Sequence, residues 1–267
     1  MTERIAYYRS TLHGIHAMQA DSSRSFARHS HDEYGIGLIM RGAQRSFSGR
    51  GMVQAGPGDL IMVNPGEVHD GQPLLDGGRA WRMLYIQPTL WQQLAAELAE
   101  QDGRPQPLLL PQLSDVCLRQ QFVQAFALLC GETTTGRQAE QAMLQLLSRL
   151  LPAHGYRPPS SACSADIARV RALLDDEPAQ PHSLSTLAEL AGISRFRLLR
   201  SFSQQLGCSP HDYQQQRRLN LARGLIAQGR PLADVAASSG FADQSHMNRV
   251  FLQRLGITPG CYARALR

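Results

Sequence analysis

Residues 200–213 read RSFSQQLGCSPHDY and residues 249–262 read RVFLQRLGITPGCY. The positions that match at a constant offset of 49 include Arg200/Arg249, Phe202/Phe251, Leu206/Leu255, Gly207/Gly256, Pro210/Pro259 and Tyr213/Tyr262. Upstream, Leu184, Ala188 and Gly192 recur as Leu232, Ala236 and Gly240 at an offset of 48, so the second copy has a turn one residue longer. Each copy spells helix, tight turn, helix. In the first, Ser185 is placed to cap Thr186–Ala191, Gly192 permits the turn, and Ser194 caps Arg195–Leu206, which Gly207 closes. Leu198 and Phe202, four apart, form the inner stripe of that second helix, while Arg195, Arg197 and Arg200 point elsewhere. In the second copy Asp243 caps Gln244–Leu255, with Met247, Val250, Phe251 and Leu255 inside and Gln244, Ser245, Asn248 and Arg249 outside. Between the copies runs Pro210–Gln228, a Pro-started helix ended by Gly229 and about 27 Å long.

The charge agrees with this division. All 27 basic residues are arginine. Residues 1–163 carry 14 Arg and 14 acids, whereas residues 164–267 carry 13 Arg and 8 acids, so the whole net charge of +5 lies in the last part. A neutral half joined to a basic half suggests one part that meets a polyanion and another with a different task. A rod of about 27 Å holds two recognition helices near one turn of duplex apart, roughly 34 Å, so both reach successive major grooves. The outer side chains of the second, Gln244, Ser245, Asn248 and Arg249, suit base edges, while Arg217, Arg218 and Arg223 on the rod suit phosphates.

The rest of the chain has a different texture. Up to about residue 88, short runs such as Tyr34–Met40, Asp59–Val63 and Arg82–Ile86 alternate with Gly/Pro turns, which points to a small barrel or sandwich. From Trp91 to Leu151 the period is helical, with Ala139, Met143, Leu146, Leu147 and Leu150 on one face. That stripe serves either pairing with a twin chain or packing on the barrel. Residues 152–163, PAHGYRPPSSAC, read as a linker. The 267 residues thus divide into 1–151 (helical dimerisation segment about 91–151), linker 152–163, and 164–267. With 43% hydrophobic and 18% charged residues the composition is that of a folded chain. No apolar run approaches the ~18–20 residues that span a bilayer, and MTERIAYYRS lacks a signal peptide's apolar stretch, so a cytoplasmic location is expected. The five cysteines (117, 130, 163, 208, 261) have no C-x-x-C spacing and read as small buried hydrophobes.

Residues 164–267 strongly resemble the DNA-binding domain of AraC/XylS-type transcription regulators, and GFADQSHMNRVFLQRLGITPGCY looks like the signature around its second helix-turn-helix. Met247 stands where the family usually has an aromatic residue, a conservative core change. By resemblance, Phe196, Leu199 and Arg200 occupy base-facing positions of the first recognition helix, and Gln244, Ser245, Asn248 and Arg249 those of the second. Apolar Phe196 and Leu199 favour thymine methyls. Arg200 and Arg249, matched across the repeat, are open to a base-reading or a structural role.

His29-x-His31, with Pro57-Gly58-Asp59 and Asn64-Pro65-Gly66-x-x-His69 following, resembles a cupin barrel, which regulators of this type often carry for an effector. His29, His31 and His69 match the imidazoles of metal-dependent cupin enzymes, but the carboxylate those enzymes need after the second histidine is replaced by Gly35 and Ile36. The histidines therefore pin loops, line a small-molecule pocket with Tyr34, Asn64 and Trp81, or hold a metal. Glu33, Glu67 and Asp70 near the same strand ends would favour a cationic ligand if all three lined it.

The expected fold is α+β: an N-terminal cupin-like β-barrel with flanking helices, and a C-terminal all-α domain of two helix-turn-helix motifs joined by a long helix. The expected function is a one-component transcription regulator, not an enzyme, with no cofactor and no metal. Its expected partners are double-stranded DNA, an effector of unidentified chemistry, RNA polymerase if it activates, and a second copy of itself; no membrane partner is expected. The rival is a metal-dependent cupin enzyme with a basic helical tail.

Overall fold

The computed structural model describes residues 3–49, 51–98, 107–131, 134–154 and 164–266. Contacts divide the chain into two compact units, Met1–Ser25 with His31–Pro158 and Ala265–Arg267, and Phe26–Ser30 with Pro159–Arg264. The fold class is α+β, sheet-rich in the first unit and helical in the second.

In the first unit β1 (Arg4–Arg9), β2 (Ile15–Ser22), β4 (Tyr34–Arg41), β7 (Leu60–Val63), β9 (Arg79–Ile86) and β10 (Gln112–Leu113) form a six-stranded sheet in the order β1-β2-β9-β4-β7-β10. The first unit also holds β8 (His69–Pro73), β5 (Gln44–Ser48) and β6 (Gly51–Ala55), hydrogen-bonded side by side in that order, while β3 (Phe26–His29) falls in the second unit. Among the described residues the two sets of strands are not joined by hydrogen bonds into one closed ring, and the unit keeps the sheet-rich, cupin-like architecture expected of it.

Period-two alternation gives the larger sheet two different faces. One face carries Ile15, Ala17, Tyr34, Ile36, Leu38, Leu60, Met62, Leu84 and Ile86, all buried in one core with α1 (Pro88–Leu98), α2 (Val116–Cys130) and α3 (Gly136–His154). The stripe Ala139, Met143, Leu146, Leu147 and Leu150 is fully buried there, so it is used within the chain. The opposite face carries His16, Met18 and Ala20, then Gly35, Gly37 and Ile39, then Trp81, Met83 and Tyr85, held in register by pairs such as Met18↔Met83 and Ile39↔Trp81. Gly37 is required by packing: a Cβ there would lie 2.1 Å from Met83 Sδ and 2.9 Å from Ile61 Cγ1. At one end of this face the buried Arg79 reaches across to the smaller sheet, donating to Gln44 Oε1 (2.9 Å) and the Gly71 carbonyl (3.1 Å). Burial pulls its guanidinium down to about 10, so it remains charged at neutral pH.

The second unit contains α4 (Ala165–Asp176), α5 (Leu184–Ala191), α6 (Arg195–Leu206), α7 (Pro210–Ala227), α8 (Leu232–Ser238), α9 (Gln244–Leu255) and α10 (Pro259–Ala265). Ile167, Val170, Leu174, Leu187, Ala188, Leu198, Phe202 and Tyr213 form the core beneath the first helix-turn-helix. The cap of α5 is Ser183, two residues before the expected Ser185, because its hydroxyl accepts the Thr186 amide (3.1 Å) and starts the helix earlier. Helix α7 lies between the two motifs and is buried around its circumference, at Tyr213, Gln214, Gln216, Leu219, Ala222, Arg223 and Ile226. That is why it lacks an apolar stripe.

Three further expectations are revised or fall outside view. Residues 152–154 of the expected linker continue α3, and 155–163 lie outside the described residues. Cys117 and Cys261 are exposed rather than buried, on the outer sides of α2 and α10. Cys130 and Cys208 are half-buried, and burial pushes both thiols up to about 11; Cys163 lies outside the described residues.

Candidate nucleic-acid interface and effector site

The two helix-turn-helix units are built by the same local chemistry. Ser194 Oγ accepts the Arg197 amide (3.3 Å) at the start of α6, and Asp243 Oδ1 accepts the His246 amide (2.6 Å) at the start of α9. Gly207 and Gly256 end these helices at φ 76° and 74°. The turns match as well: the Ile193 amide donates to the Ala188 carbonyl (3.1 Å) and the Phe241 amide to the Ala236 carbonyl (3.0 Å). Leu198 and Phe202 anchor α6, and Met247 and Phe251 anchor α9, all fully buried. This fixes what each helix turns outward. Helix α6 exposes Arg195, Phe196, Arg197, Leu199 and Arg200; α9 exposes Gln244, Ser245 and Arg249, with Asn248 half-exposed.

The arginines of α7 are differently employed. Arg217 Nε lies 3.0 Å from Asp175 Oδ1, the oxygen that also accepts the Tyr213 hydroxyl (2.8 Å). Arg218 donates to the carbonyls of Pro178 (2.9 Å), Ala179 (3.4 Å) and Gln180 (3.2 Å), and partial burial lowers its pKa. Arg223 is buried and donates to the Tyr262 hydroxyl (3.3 Å). These three hold the second unit together, and a phosphate role for them competes with those bonds. Sequence reasoning missed the staple because the 178–180 segment carries no motif that marks it as an acceptor.

In the first unit the expected pocket residues fall into two groups. His31 and His69 come together edge to face at 4.9 Å, and His31 meets Tyr85 in the same way at 4.8 Å. Tyr85 in turn stacks on His16 at 4.8 Å. His31 Nδ1 lies 3.1 Å from the Glu33 carbonyl and His69 Nδ1 2.9 Å from the Glu67 carbonyl. A carbonyl only accepts, so Nδ1 carries the proton in each neutral ring and Nε2 is the acceptor. Burial lowers the His69 pKa, opposed by the Glu67 carbonyl and the charges of Glu67 and Asp70, so the ring is neutral at pH 7. Trp81 shares this inner face, with the Arg79 guanidinium 4.5 Å from its ring.

The other candidates are engaged elsewhere. Tyr34 turns to the opposite, helix-covered face and stacks on Trp91 at 4.2 Å. Asn64 bonds the Leu108 amide (2.7 Å) and carbonyl (2.9 Å), pinning that segment. His29 falls in the second unit, on β3, and its Nδ1 bonds the Ala27 carbonyl of that strand (2.9 Å). Glu67 accepts the amides of Asn64 and Gly49 (both 3.1 Å), and Asp70 accepts that of Phe47 (2.6 Å), so these carboxylates tie loops together. Among the described residues no group of three or more His, Cys, Asp and Glu is placed to hold a metal ion. Tyr85, His16 and Met83 were not anticipated, although counting by twos from Trp81 along β9 finds two of them.

Comparison with known proteins now decides the family. The AraC-like ligand binding domain matches residues 13–151 and a helix-turn-helix domain matches residues 187–265. The chain belongs to the AraC family. It is an AraC-type DNA-binding transcription regulator with an N-terminal ligand-binding domain. It is similar to the uncharacterized helix-turn-helix transcriptional regulator YbfI of Bacillus subtilis, 29% identical over 231 residues covering 84% of this chain and 82% of that protein. It is similar to the arabinose operon regulatory protein of Salmonella typhimurium, 28% identical over 217 residues covering 76% and 73%. In fold it resembles apo ToxT from Vibrio cholerae, with a TM-score of 0.59 at 13% identity over 97% of this chain and 100% of that one. The relatives of this AraC-type chain are transcription regulators, and no helix among its described residues is long and apolar enough to cross a membrane.

Proposed function

We propose that this AraC-type protein is a one-component switch in which a small molecule on the inner face of residues 1–151 controls DNA reading by residues 164–267, the stretch from 152 to 163 serving as linker. Helix α6 reads one half-site through Arg195, Phe196, Arg197, Leu199 and Arg200. Helix α9 reads the next through Gln244, Ser245, Asn248 and Arg249. What carries this reading is the outward presentation of both sets on helices whose opposite faces are anchored in a common unit. The effector contacts are His31, His69 and Trp81, joined by Tyr85. Control by an effector requires that it bind the DNA-competent and incompetent states unequally. The protein works in the cytoplasm as a homodimer, with RNA polymerase as a further partner if it activates. Val116 and Val123, exposed and seven apart on α2, support the dimer.

The test is selection of bound duplexes from a random pool, followed by Arg249→Ala on the selected site. The variant should lose about 1–3 kcal/mol and relax preference at one position. A loss that is uniform over all sequences would remove Arg249 from the base-reading set.

A further inference from the structure

The two outward helix faces differ chemically, and this difference rests on the DNA-reading function proposed above. Phe196 is 75% exposed and Leu199 38% exposed on α6. With Arg200, Ser203 and Gln204 they line a groove of about 470 Å³. The positions one repeat later on α9 are Ser245 for Phe196 and Asn248 for Leu199. A large ring left in water at the first turn of a helix gains nothing from the fold, so its apolar surface is available to a partner. The exposed Arg195, Arg197 and Arg200 around it draw a polyanion and repel basic protein surfaces. On the major-groove edge of DNA the apolar feature is the pyrimidine C5-methyl group.

We propose that α6 is a reader of C5-methyl groups, so that binding at its half-site follows those methyls while α9 follows hydrogen-bond pattern. Phe196 and Leu199 have neither donor nor acceptor, so they are blind to the group at C4 that separates thymine from 5-methylcytosine. The consequence is that 5-methylcytosine substitutes for thymine in the Phe196 and Leu199 contact, and that deoxyuridine, which lacks only the methyl, does not.

The experiment uses the full chain and a duplex selected from a random pool. Each thymine is replaced singly by deoxyuridine, and affinity is measured for the wild type, Phe196→Ala, Leu199→Ala and Arg249→Ala. Burying one methyl corresponds to about a fourfold change in affinity. Wild type and Arg249→Ala should lose about that factor at one cluster of thymines. Phe196→Ala and Leu199→Ala should lose that sensitivity there while keeping the wild-type melting curve. Replacing those base pairs by 5-methylcytosine–guanine should retain the sensitivity to methyl removal, read as 5-methylcytosine against cytosine. Equal uracil sensitivity in wild type and Phe196→Ala, or none in wild type, overturns the proposal while leaving DNA reading intact. Reduced transcription by Phe196→Ala with unchanged affinity and uracil response also overturns it, and assigns the groove to a protein partner. A pool from which nothing is enriched overturns both.

Discussion

Gly192 and Gly240 occupy equivalent turns of the repeat, at φ +68° and +74°, yet alanine should cost very different amounts at the two. Both substitutions incur the left-handed penalty of an L-residue, about 1–2 kcal/mol. Around Gly192 nothing lies within 4 Å of an added Cβ. At Gly240 the Cβ would meet the Ala179 carbonyl oxygen at 2.3 Å and the Ala179 Cα at 2.7 Å. An overlap of about 1 Å must be relieved by moving the 178–180 segment, since ordinary C···O contacts begin near 3.3 Å. That segment is tied by three bonds from Arg218 and by Gln214 Nε2, 2.5 Å from the Gln180 carbonyl. Overpacking of a fixed site adds roughly 1–3 kcal/mol. Gly192→Ala should therefore lose about 1–2 kcal/mol, and Gly240→Ala about 2–5 kcal/mol. Urea unfolding followed by far-ultraviolet circular dichroism measures the difference. Both tryptophans, Trp81 and Trp91, lie in the first unit, so their fluorescence reports that unit separately. Removing the staple should soften the clash, making Arg218→Ala/Gly240→Ala less destabilised than the two single losses combined. Costs equal to within about 0.5 kcal/mol at Gly192 and Gly240 would refute the packing argument, and strict additivity in the double variant would refute the staple.

Arg218→Ala alone should destabilise the helical unit by about 1–3 kcal/mol, because three carbonyls lose a charged donor. A phosphate contact would instead lower the salt slope of DNA binding by about one with stability unchanged, so denaturation and salt titration together decide the role. Arg79→Ala should cost about 3 kcal/mol or more in the tryptophan-detected transition, since Gln44 Oε1 and the Gly71 and Arg24 carbonyls lose its guanidinium. His69 has a pKa held below its ordinary 6.5 by burial, so the unfolded chain takes up a proton that the folded chain refuses. Above that value it contributes no pH dependence, and as pH falls from 6.5 toward the depressed folded value stability declines. His69→Gln should flatten that decline in tryptophan-detected unfolding at a series of pH values.

Much of the second unit was legible because its signals are local. Ser194, Asp243, Gly207 and Gly256 act within four residues of themselves, and the repeat gives two readings of each. What escaped was long-range. Arg218 finds its acceptors 38–40 residues away, and Ser183 displaces Ser185 as a cap through one hydroxyl geometry. In the first unit alternation separated two faces of each strand, but not which faced the helices. Tyr34 and Trp81 were therefore grouped together, although Tyr34 stacks on Trp91 in the helix-covered core and Trp81 shares the inner face with Met83 and Tyr85. Gly35 and Gly37, inside the run Tyr34–Met40, mark that inner face because Met83 lies over them.

The repeat also separates scaffold from reading surface. Matched positions such as Ala188/Ala236, Phe202/Phe251 and Tyr213/Tyr262 are buried in both copies. At the offset of 49 that relates α6 to α9, the outward positions diverge: Arg195 against Gln244, Phe196 against Ser245, Leu199 against Asn248. Packing constrains two copies alike because both must bury the same interior, whereas outward side chains are free to answer to different partners. Arg200/Arg249 and Gln204/Gln253 break the pattern, being matched yet exposed in both copies. Burial cannot be what holds them equal, which fits the proposed contact of both arginines with DNA. Guanine O6/N7 and phosphate both fit arginine. Exchanging the base pair that loses preference in Arg249→Ala decides between them, because a phosphate contact is indifferent to the exchange and a guanine contact is not.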